Sequence, residues 1–314
     1  MKYRKLGRSG LKVSEISLGS WLTYGGYVEK ERAVNSIHKA YELGINFFDT
    51  ANVYERGQAE IVVGETLRQY PRESYVLATK VFGQMGDGPN DRGLSRKHIM
   101  EQCNASLQRL GMDYIDLYYC HRFDKETPLE ETLRALDDLV RQGKVLYVGV
   151  SEWTAAQMIE AHAIADKYLL DRIVVNQPIY NMFKRYIEQE VIPTGMQKGI
   201  SQVVFSPLAQ GILTGKYRKG QDIPTDSRAY SKNWGQDRIK EEQLEQVEQL
   251  IKLSDELGLT LSQLALSWIL RQHNVASALI GASRPEQVEE NCATSDIILS
   301  DEILVKIEEI LGQA

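Results

Sequence analysis

The sequence predicts an α/β protein whose core is a closed (β/α)8 barrel, also called a TIM barrel. Three observations predict it: eight short apolar runs of strand length, apolar residues at helical spacing between them, and a repeat of roughly 30 to 40 residues as far as the seventh run. Barrels of this kind form as one unit of about 250 residues. We therefore expect a single domain over residues 1–314.

The eight runs are rich in β-branched and aromatic residues, and most are continuous rather than alternating. Continuous apolar runs are typical of parallel strands that are covered on both faces. In chain order the runs span residues 16–19, 46–49, 75–79, 114–119, 145–150, 173–176, 202–205 and 277–280. Before them, residues 3–6 and 11–13 flank the sequence GRSG, which predicts a small β-hairpin that plugs one end of the barrel.

The connecting segments carry apolar residues at helical spacing. The clearest sets are Ala33, Ile37, Ala40 and Tyr41 in the first connection, and Leu129, Leu133, Leu136, Leu139 and Val140 in the fourth. Gly44 and Gly143 stand where these two helices should end.

One interval breaks the repeat. Residues 206–237, rich in Gly, Pro, Ser and charge, form a long insertion after the seventh strand, and a loop of that length in a compact domain is usually functional. A doubly wound sheet is the competing architecture. No Gly-x-Gly-x-x-Gly sequence follows the first strand, so the barrel is favoured.

The composition and the net charge limit the classes of molecule that the protein is expected to bind. The chain is 43% hydrophobic and 25% charged, as in ordinary globular proteins. It has 43 acidic and 37 basic residues, a net charge of −6, and no Lys/Arg stripe, which argues against binding to nucleic acid or to an anionic membrane. Small molecules are therefore the expected partners.

The cysteines and histidines predict neither disulfides nor a metal. Cys103, Cys120 and Cys292 are odd in number and show no Cys-x-x-Cys spacing, which favours a reducing, cytoplasmic location. The five histidines include no His-x-x-x-His pair, so no metal is expected. No signal peptide and no apolar stretch of about 18 residues is present, so we expect neither export nor membrane insertion.

Four polar residues are predicted to meet at one rim of the barrel, because loops after the carboxyl ends of the strands form the active face. Asp49, Lys80 and His121 close the second, third and fourth strands, and Tyr54 follows Asp49 by five residues. Taken singly, each has a structural explanation: a helix cap, a solvated charge or a hydrogen-bonded histidine. Their joint placement is far more specific.

These residue types fit chemistry at a carbonyl group. An ammonium group stabilises phenolate and lowers a tyrosine pKa from its usual value of about 10, so we expect Lys80 to lower the pKa of Tyr54 and make it a proton donor. Asp49 would keep Lys80 charged and oriented. His121 could hydrogen-bond a carbonyl oxygen and place it against the Tyr54 hydroxyl, which together gives an acid and oxyanion site. The four residues do not by themselves name a hydride donor.

Two other features of the sequence, residues 211–217 and Cys120, could also be given a functional interpretation, but the evidence for each is weaker. Residues 211–217, GILTGKY, resemble a phosphate loop, but they have three residues between the glycines where four are needed, and Tyr where Ser or Thr would bind magnesium. Cys120, beside His121, could be a nucleophile. Its better interpretation is a small packing residue.

Nearly end to end, the sequence resembles the aldo-keto reductases, most closely the branch that contains the potassium-channel β-subunits and their bacterial relatives. The matching segments are residues 2–10 (KYRKLGRSG), 44–51 (GINFFDTA), 92–98 (RGLSRKH), 127–132 (TPLEET), 205–217 (FSPLAQGILTGKY) and 281–287 (GASRPEQ). The resemblance implies a barrel that binds NADP(H) without a Rossmann domain and a catalytic tetrad at Asp49, Tyr54, Lys80 and His121. Channel subunits of this branch carry Asn where His121 stands, so the histidine favours a working reductase.

The resemblance also implies which residues bind the cofactor. Around the nicotinamide it places Gly19, Ser20, Trp21, Asp49, Ser151 and Gln177, with Phe205 stacked on the ring where many reductases have Tyr or Trp. Over the pyrophosphate it places Ser206, Leu208, Gln210, Gly211, Leu213, Gly215 and Lys216. Around the adenosine 2′-phosphate and the adenine it places Lys216, Arg228, Gly281, Ser283, Arg284, Gln287, Glu290 and Asn291. Positive charge at that phosphate favours NADP(H) over NAD(H), and Glu152 departs from the Asn that many relatives have after the Ser.

The main hypothesis is a cytoplasmic NADPH-dependent reductase of aldehydes or ketones, with Tyr54 as the acid. The alternative is an NADP(H)-binding regulatory subunit of a membrane protein with slow residual chemistry. Against it, the sequence starts directly at the predicted hairpin, so we expect no N-terminal arm of the kind that occludes channels. A third hypothesis, an inactive scaffold, predicts no cofactor binding. The carbonyl substrate stays open, and so does a homo-oligomer, since the family includes monomers, tetramers and larger rings.

Overall fold

The computed structural model describes residues 1–21, 29–224, 227, 230 and 239–312. Its strands are β1 (Tyr3–Lys5), β2 (Lys12–Ser14), β3 (Ile16–Gly19), β4 (Phe47–Asp49), β5 (Val76–Val81), β6 (Ile115–Cys120), β7 (Val145–Ser151), β8 (Val175–Gln177), β9 (Ser201–Phe205) and β10 (Val275–Ile280). Strands β3 to β10 form a closed barrel, in which β10 pairs in parallel with β3. The predicted (β/α)8 fold is confirmed.

The helices lie between and after these strands. They are α1 (Lys30–Glu42), α2 (Gln58–Leu67), α3 (Arg96–Leu110), α4 (Leu129–Arg141), α5 (Ala155–Tyr168), α6 (Val191–Lys198), α7 (Glu241–Glu256), α8 (Leu261–Leu270), α9 (Pro285–Cys292) and α10 (Asp301–Leu311). Gly44 (φ +86°) and Gly143 (φ +69°) follow α1 and α4 in the left-handed region, as their positions in the sequence predict. No described helix is long and apolar enough to cross a membrane.

The N-terminal hairpin of β1 and β2 covers the amino-terminal end of the barrel. Gly7 donates its N–H to Ser201 Oγ at 2.7 Å, and Arg8 donates its N–H to the carbonyl of Gly199 at 3.1 Å. Leu6 and Val13 are fully buried among the side chains that fill the barrel interior. The hairpin therefore closes this end, and the carboxyl ends of the strands are left for the functional site.

The predicted insertion after β9 starts with a compact segment. Residues Ala209–Thr214 form a 3-10 turn, and Gln210 (φ +57°) and Gly211 (φ +106°) adopt left-handed conformations inside it. The next helix, α7, begins at Glu241. Within the predicted insertion, residues 225–226, 228–229 and 231–237 lie outside the described residues.

Candidate active site

Successive side chains along each barrel strand point alternately into and out of the barrel interior. On β4, Phe47 belongs to the inner cluster, so Asp49 two residues later faces the same way. On β5, Ala78 faces inward, so Lys80 does too. Asp49 is in register with Ala78, the residue two before Lys80, so the two polar side chains meet at the carboxyl end of the barrel.

The remaining two members of the predicted tetrad come from the segments after β4 and β6. Tyr54 begins the short 3-10 turn Tyr54–Gly57, and His121 follows β6 directly, where its N–H donates to the carbonyl of Val81 at 2.9 Å. The rings of Tyr54 and His121 pack edge to face, with centroids 5.6 Å apart. The structure thus brings all four predicted catalytic residues together.

Lys80 joins three of these groups. Its ammonium forms an ion pair with Asp49 Oδ1, donates to the carbonyl of Thr50 at 2.8 Å, and lies 3.4 Å from the hydroxyl of Tyr54. The side chains of Lys80 and Asp49 are 0% and 1% exposed. The other oxygen of Asp49 accepts from Gln177 Nε2 at 2.9 Å. Both charges of the buried pair are therefore hydrogen-bonded as well as paired.

Burial and the neighbouring charges act in opposite directions on this pair. Burial raises the pKa of Asp49, and the ammonium of Lys80 opposes that rise. Burial also disfavours the charged form of Lys80. The attraction of Asp49 and Tyr54 outweighs this effect and raises the pKa of Lys80. Lys80 accordingly stays an ammonium at neutral pH.

The expected lowering of the Tyr54 pKa is wrong for this structure. Burial raises the pKa of Tyr54 above its usual value, and the opposing effect of Lys80 is the smaller one. The pKa of His121 is held well below its usual value by burial and by the positive charges of Lys80 and Arg122. At neutral pH the site therefore contains a protonated tyrosine and a neutral histidine.

Three residues of the tetrad, Asp49, Tyr54 and His121, line a cleft of about 1030 Å³, whereas Lys80 is fully buried and does not line it. Residues of the predicted cofactor set that line it are Gly19, Trp21, Asp49, Ser151, Gln177, Phe205, Ser206, Leu208, Gln210, Gly211, Lys216, Gly281, Ser283, Arg284, Gln287, Glu290 and Asn291. Ser20, Leu213 and Gly215 are not among the lining residues, and Arg228 lies outside the described residues. The lining set thus comes from the carboxyl ends of β3, β4, β7, β8 and β9 and from the segments that follow β3, β9 and β10.

The three residues that do not line the cleft have other positions in the fold. Leu213 is fully buried in the outer core, and Gly215 (φ +75°) ends the 3-10 turn. Ser20 is 1% exposed and donates its N–H to the carbonyl of Asp49 at 3.0 Å. Its hydroxyl has no hydrogen-bond partner among the described residues.

These features fit a phosphate-bearing nucleotide. The left-handed conformations at Ser206 and Gly211 turn the backbone of the cleft wall, and such turns can direct N–H groups at an anion. At the far end, Arg284 is the N-cap of α9, and Ser283 donates its N–H to Gln287 Oε1 at 2.8 Å. A helix N-terminus with an adjacent guanidinium favours negative charge. The buried hydroxyl of Ser20, beside Asp49, is a polar group that still lacks a partner at the other end of the site.

Sequence reasoning missed several charged or polar residues of the cleft, and two of them, Glu55 and Arg122, directly follow tetrad residues in the sequence. The missed lining residues include Glu29, Arg32, Glu55, Arg122, Thr214 and Ser262. Arg122 follows His121 in the sequence, so adjacency to the predicted histidine was the available signal. Glu152, which departs from the family pattern, is not among the lining residues; it accepts from the N–H of Ile179 at 2.6 Å and from the Tyr186 hydroxyl at 3.2 Å.

A (β/α)8 barrel with these polar groups at the carboxyl ends of its strands has the architecture of a barrel oxidoreductase. The family model described as "Aldo/keto reductase family" matches residues 15–311. The chain therefore belongs to the aldo/keto reductase family, a family of oxidoreductases, and the resemblance seen in the sequence is confirmed.

Curated relatives agree with this assignment. The chain is 44% identical to a protein of Arabidopsis thaliana described as "Probable voltage-gated potassium channel subunit beta", over 99% of this chain and 97% of the relative. It is 46% identical to a protein of Schizosaccharomyces pombe described as "Putative voltage-gated potassium channel subunit beta", over 99% and 93%. It is 42% identical to a protein of Oryza sativa with the same description as the Arabidopsis protein, over 99% and 97%.

Proposed function

We propose that the protein is an NADPH-dependent reductase that converts an aldehyde or ketone to an alcohol. One observation carries the proposal. The buried ion pair of Lys80 and Asp49 is in hydrogen-bond contact with the Tyr54 hydroxyl, and His121 packs against the same tyrosine ring in a cleft large enough for a nucleotide and a small substrate.

Tyr54 is the proton donor. Because burial raises its pKa, the phenol is protonated at neutral pH and holds the proton that the carbonyl oxygen needs. Once the proton has left, the ammonium of Lys80, 3.4 Å away, stabilises the phenolate. Asp49 keeps that ammonium oriented, since it pairs with Lys80 and is itself held by Gln177.

His121 positions the carbonyl group. Its imidazole is neutral, so one ring nitrogen can donate a hydrogen bond to the carbonyl oxygen without placing a second positive charge beside Lys80. The edge-to-face packing on Tyr54 sets the angle between the two donors. A carbonyl oxygen held by both would be polarised for reduction.

NADPH, when bound, supplies the hydride. Ser151 and Gln177 would bind the nicotinamide carboxamide, and Phe205 at the end of β9 offers a flat face for the ring. Lys216 and Arg284 would bind the adenosine 2′-phosphate, which is the proposed basis for choosing NADPH over NADH. All five residues line the cleft.

The variant Tyr54→Phe tests the proposal. It keeps the ring that packs on His121 and removes only the hydroxyl. We expect the rate of NADPH oxidation with a panel of aromatic and aliphatic aldehydes to fall by about 10²- to 10⁴-fold. The dissociation constant of NADPH, measured by quenching of tryptophan fluorescence, should stay within about twofold. Wild-type turnover by the variant would refute the role of Tyr54.

A second candidate function comes from the relatives, which are described as potassium-channel β-subunits. Under this candidate the protein is an NADP(H)-binding regulatory subunit of a membrane protein. It predicts tight NADPH binding by the wild-type protein, only slow residual turnover of the carbonyls in the panel, and recovery from native membranes at fixed stoichiometry with a partner. The same two assays therefore separate the candidates.

A further inference from the structure

The cleft contains a positive charge whose hydrogen-bonding capacity is only partly used. Arg122 lines the cleft together with Tyr54 and His121. Its Nη1 donates to the carbonyl of His121 at 2.6 Å and to Ser151 Oγ at 3.4 Å, and these bonds tie the guanidinium to the ends of β6 and β7. Its Nε and Nη2 make no hydrogen bond with any other described residue.

The surrounding acidic groups do not neutralise Arg122. In the described part of the chain, no carboxylate oxygen lies within 4.0 Å of its guanidinium nitrogens. Glu152 on the neighbouring strand end is engaged by Ile179 and Tyr186, and Glu55 of the cleft wall is exposed. By contrast, Arg32, another lining arginine, has Glu29 at 3.8 Å.

The charge of Arg122 acts at the place where a substrate carbonyl would be held. It lowers the pKa of both Tyr54 and His121, so its field reaches both proposed donors. The protein has a net charge of −6, which disfavours anionic ligands in general. A local cation beside the reacting groups would overcome that repulsion for one class of ligand.

We propose that Arg122 is a specificity-determining residue that binds the carboxylate of the carbonyl substrate, so that the preferred substrates are short oxo acids. The Nε–H and an Nη2–H of a guanidinium form a planar fork that matches the two oxygens of a carboxylate. The bonds from Nη1 to His121 and Ser151 fix the plane of that fork. This inference rests on the proposed reductase function.

The test compares each acid with its uncharged ester. The substrates are 4-formylbenzoate and 4-oxobutanoate, each measured beside its methyl ester with saturating NADPH. We expect the wild-type protein to show a higher kcat/KM for each acid than for its ester. In Arg122→Gln the ratio of acid to ester should fall by about 10- to 100-fold, mainly through a rise in KM for the acid. Arg122→Lys, which keeps the charge but not the fork, should give an intermediate ratio.

The matched control is Arg134→Gln. Arg134 is an arginine on α4 that pairs with Glu130 at 2.8 Å and does not line the cleft, so the ratio should not change. Equal losses for acid and ester in Arg122→Gln, together with a raised KM for NADPH, would overturn the inference and assign Arg122 to the cofactor. A wild-type protein that reduces the esters as well as the acids would also overturn it while the reductase function stands. No turnover of any carbonyl would reject the proposed function itself.

Discussion

Replacing Lys80 by Met should destabilise the fold through the charge that it leaves behind. The side chains of Lys80 and Asp49 are almost fully buried, and Asp49 has Gln177 Nε2 as its remaining side-chain donor once the ammonium is gone. Breaking a buried ion pair by removing one partner costs about 3 to 5 kcal/mol. For a chain of 314 residues this corresponds to a fall of about 5 to 8 °C in the unfolding midpoint.

The effect of Lys80→Met should also depend on pH. Burial already raises the pKa of Asp49, and removal of Lys80 abolishes the effect that opposes this rise. The folded state then binds a proton more tightly than the unfolded state, whose aspartate pKa is about 3.9. Stability therefore falls as the pH rises from that value through the folded pKa. We expect the loss relative to wild type to be larger at pH 8 than at pH 5.

Urea unfolding followed by circular dichroism, at both pH values, measures these differences. The double variant Asp49→Asn with Lys80→Met removes both charges of this buried pair and should recover at least about 2 kcal/mol of the loss. Lys97→Met is the matched control, because Lys97 pairs with Glu101 on an exposed face of α3 and its loss should cost less than about 0.5 kcal/mol. A double variant no more stable than Lys80→Met alone would refute the buried-charge explanation.

Three further predictions depend on the burial of a helix glycine, of the three cysteines, and of Tyr54 and His121. In Gly64→Ala the new Cβ would lie 2.2 Å from the carbonyl oxygen of Leu110, so α2 and α3 must separate; we expect a loss of about 1 to 3 kcal/mol in urea unfolding, and an unchanged midpoint would contradict it. Burial raises the pKa of each of the three cysteines to about 12, so the folded protein should react with a thiol reagent at pH 8 far more slowly than the unfolded protein, which should titrate three thiols. Since Tyr54 has a raised pKa and His121 a lowered one, kcat/KM for carbonyl reduction should be flat between pH 6.5 and pH 8; an ionisation in that range that Tyr54→Phe abolishes would contradict the assignment.

The barrel was predictable because its strands are buried on both faces, which leaves continuous apolar runs in the sequence. The first run, residues 16–19, coincides with β3 (Ile16–Gly19). The sixth run, residues 173–176, is displaced from β8 (Val175–Gln177), since Ile173 is buried in the outer core before the strand begins. An apolar run in the sequence indicates which residues are buried. Where a strand begins and ends depends on its hydrogen-bonded pairing with the neighbouring strands, which the run does not show.

The tetrad was predictable for a related reason. Asp49, Lys80 and His121 each stand where an apolar run ends, so their places follow from the barrel rule that carboxyl ends of strands share one rim. Arg122 follows no such rule. Its place depends on contacts with the ends of β6 and β7, and an exposed arginine after a strand is in most proteins a solvated charge.

The protonation state of Tyr54 shows what residue types alone leave undetermined. A lysine beside a tyrosine predicts a lowered pKa, but the sequence does not reveal how deeply the phenol is buried, and here burial is the larger effect. The raised pKa suits the proposed direction of reaction, because a reductase needs a tyrosine that still carries its proton when the carbonyl binds. Lys80 then contributes after proton transfer, when the phenolate forms 3.4 Å from its ammonium. Burial thus keeps the acid protonated before the step, and Lys80 stabilises its conjugate base afterwards.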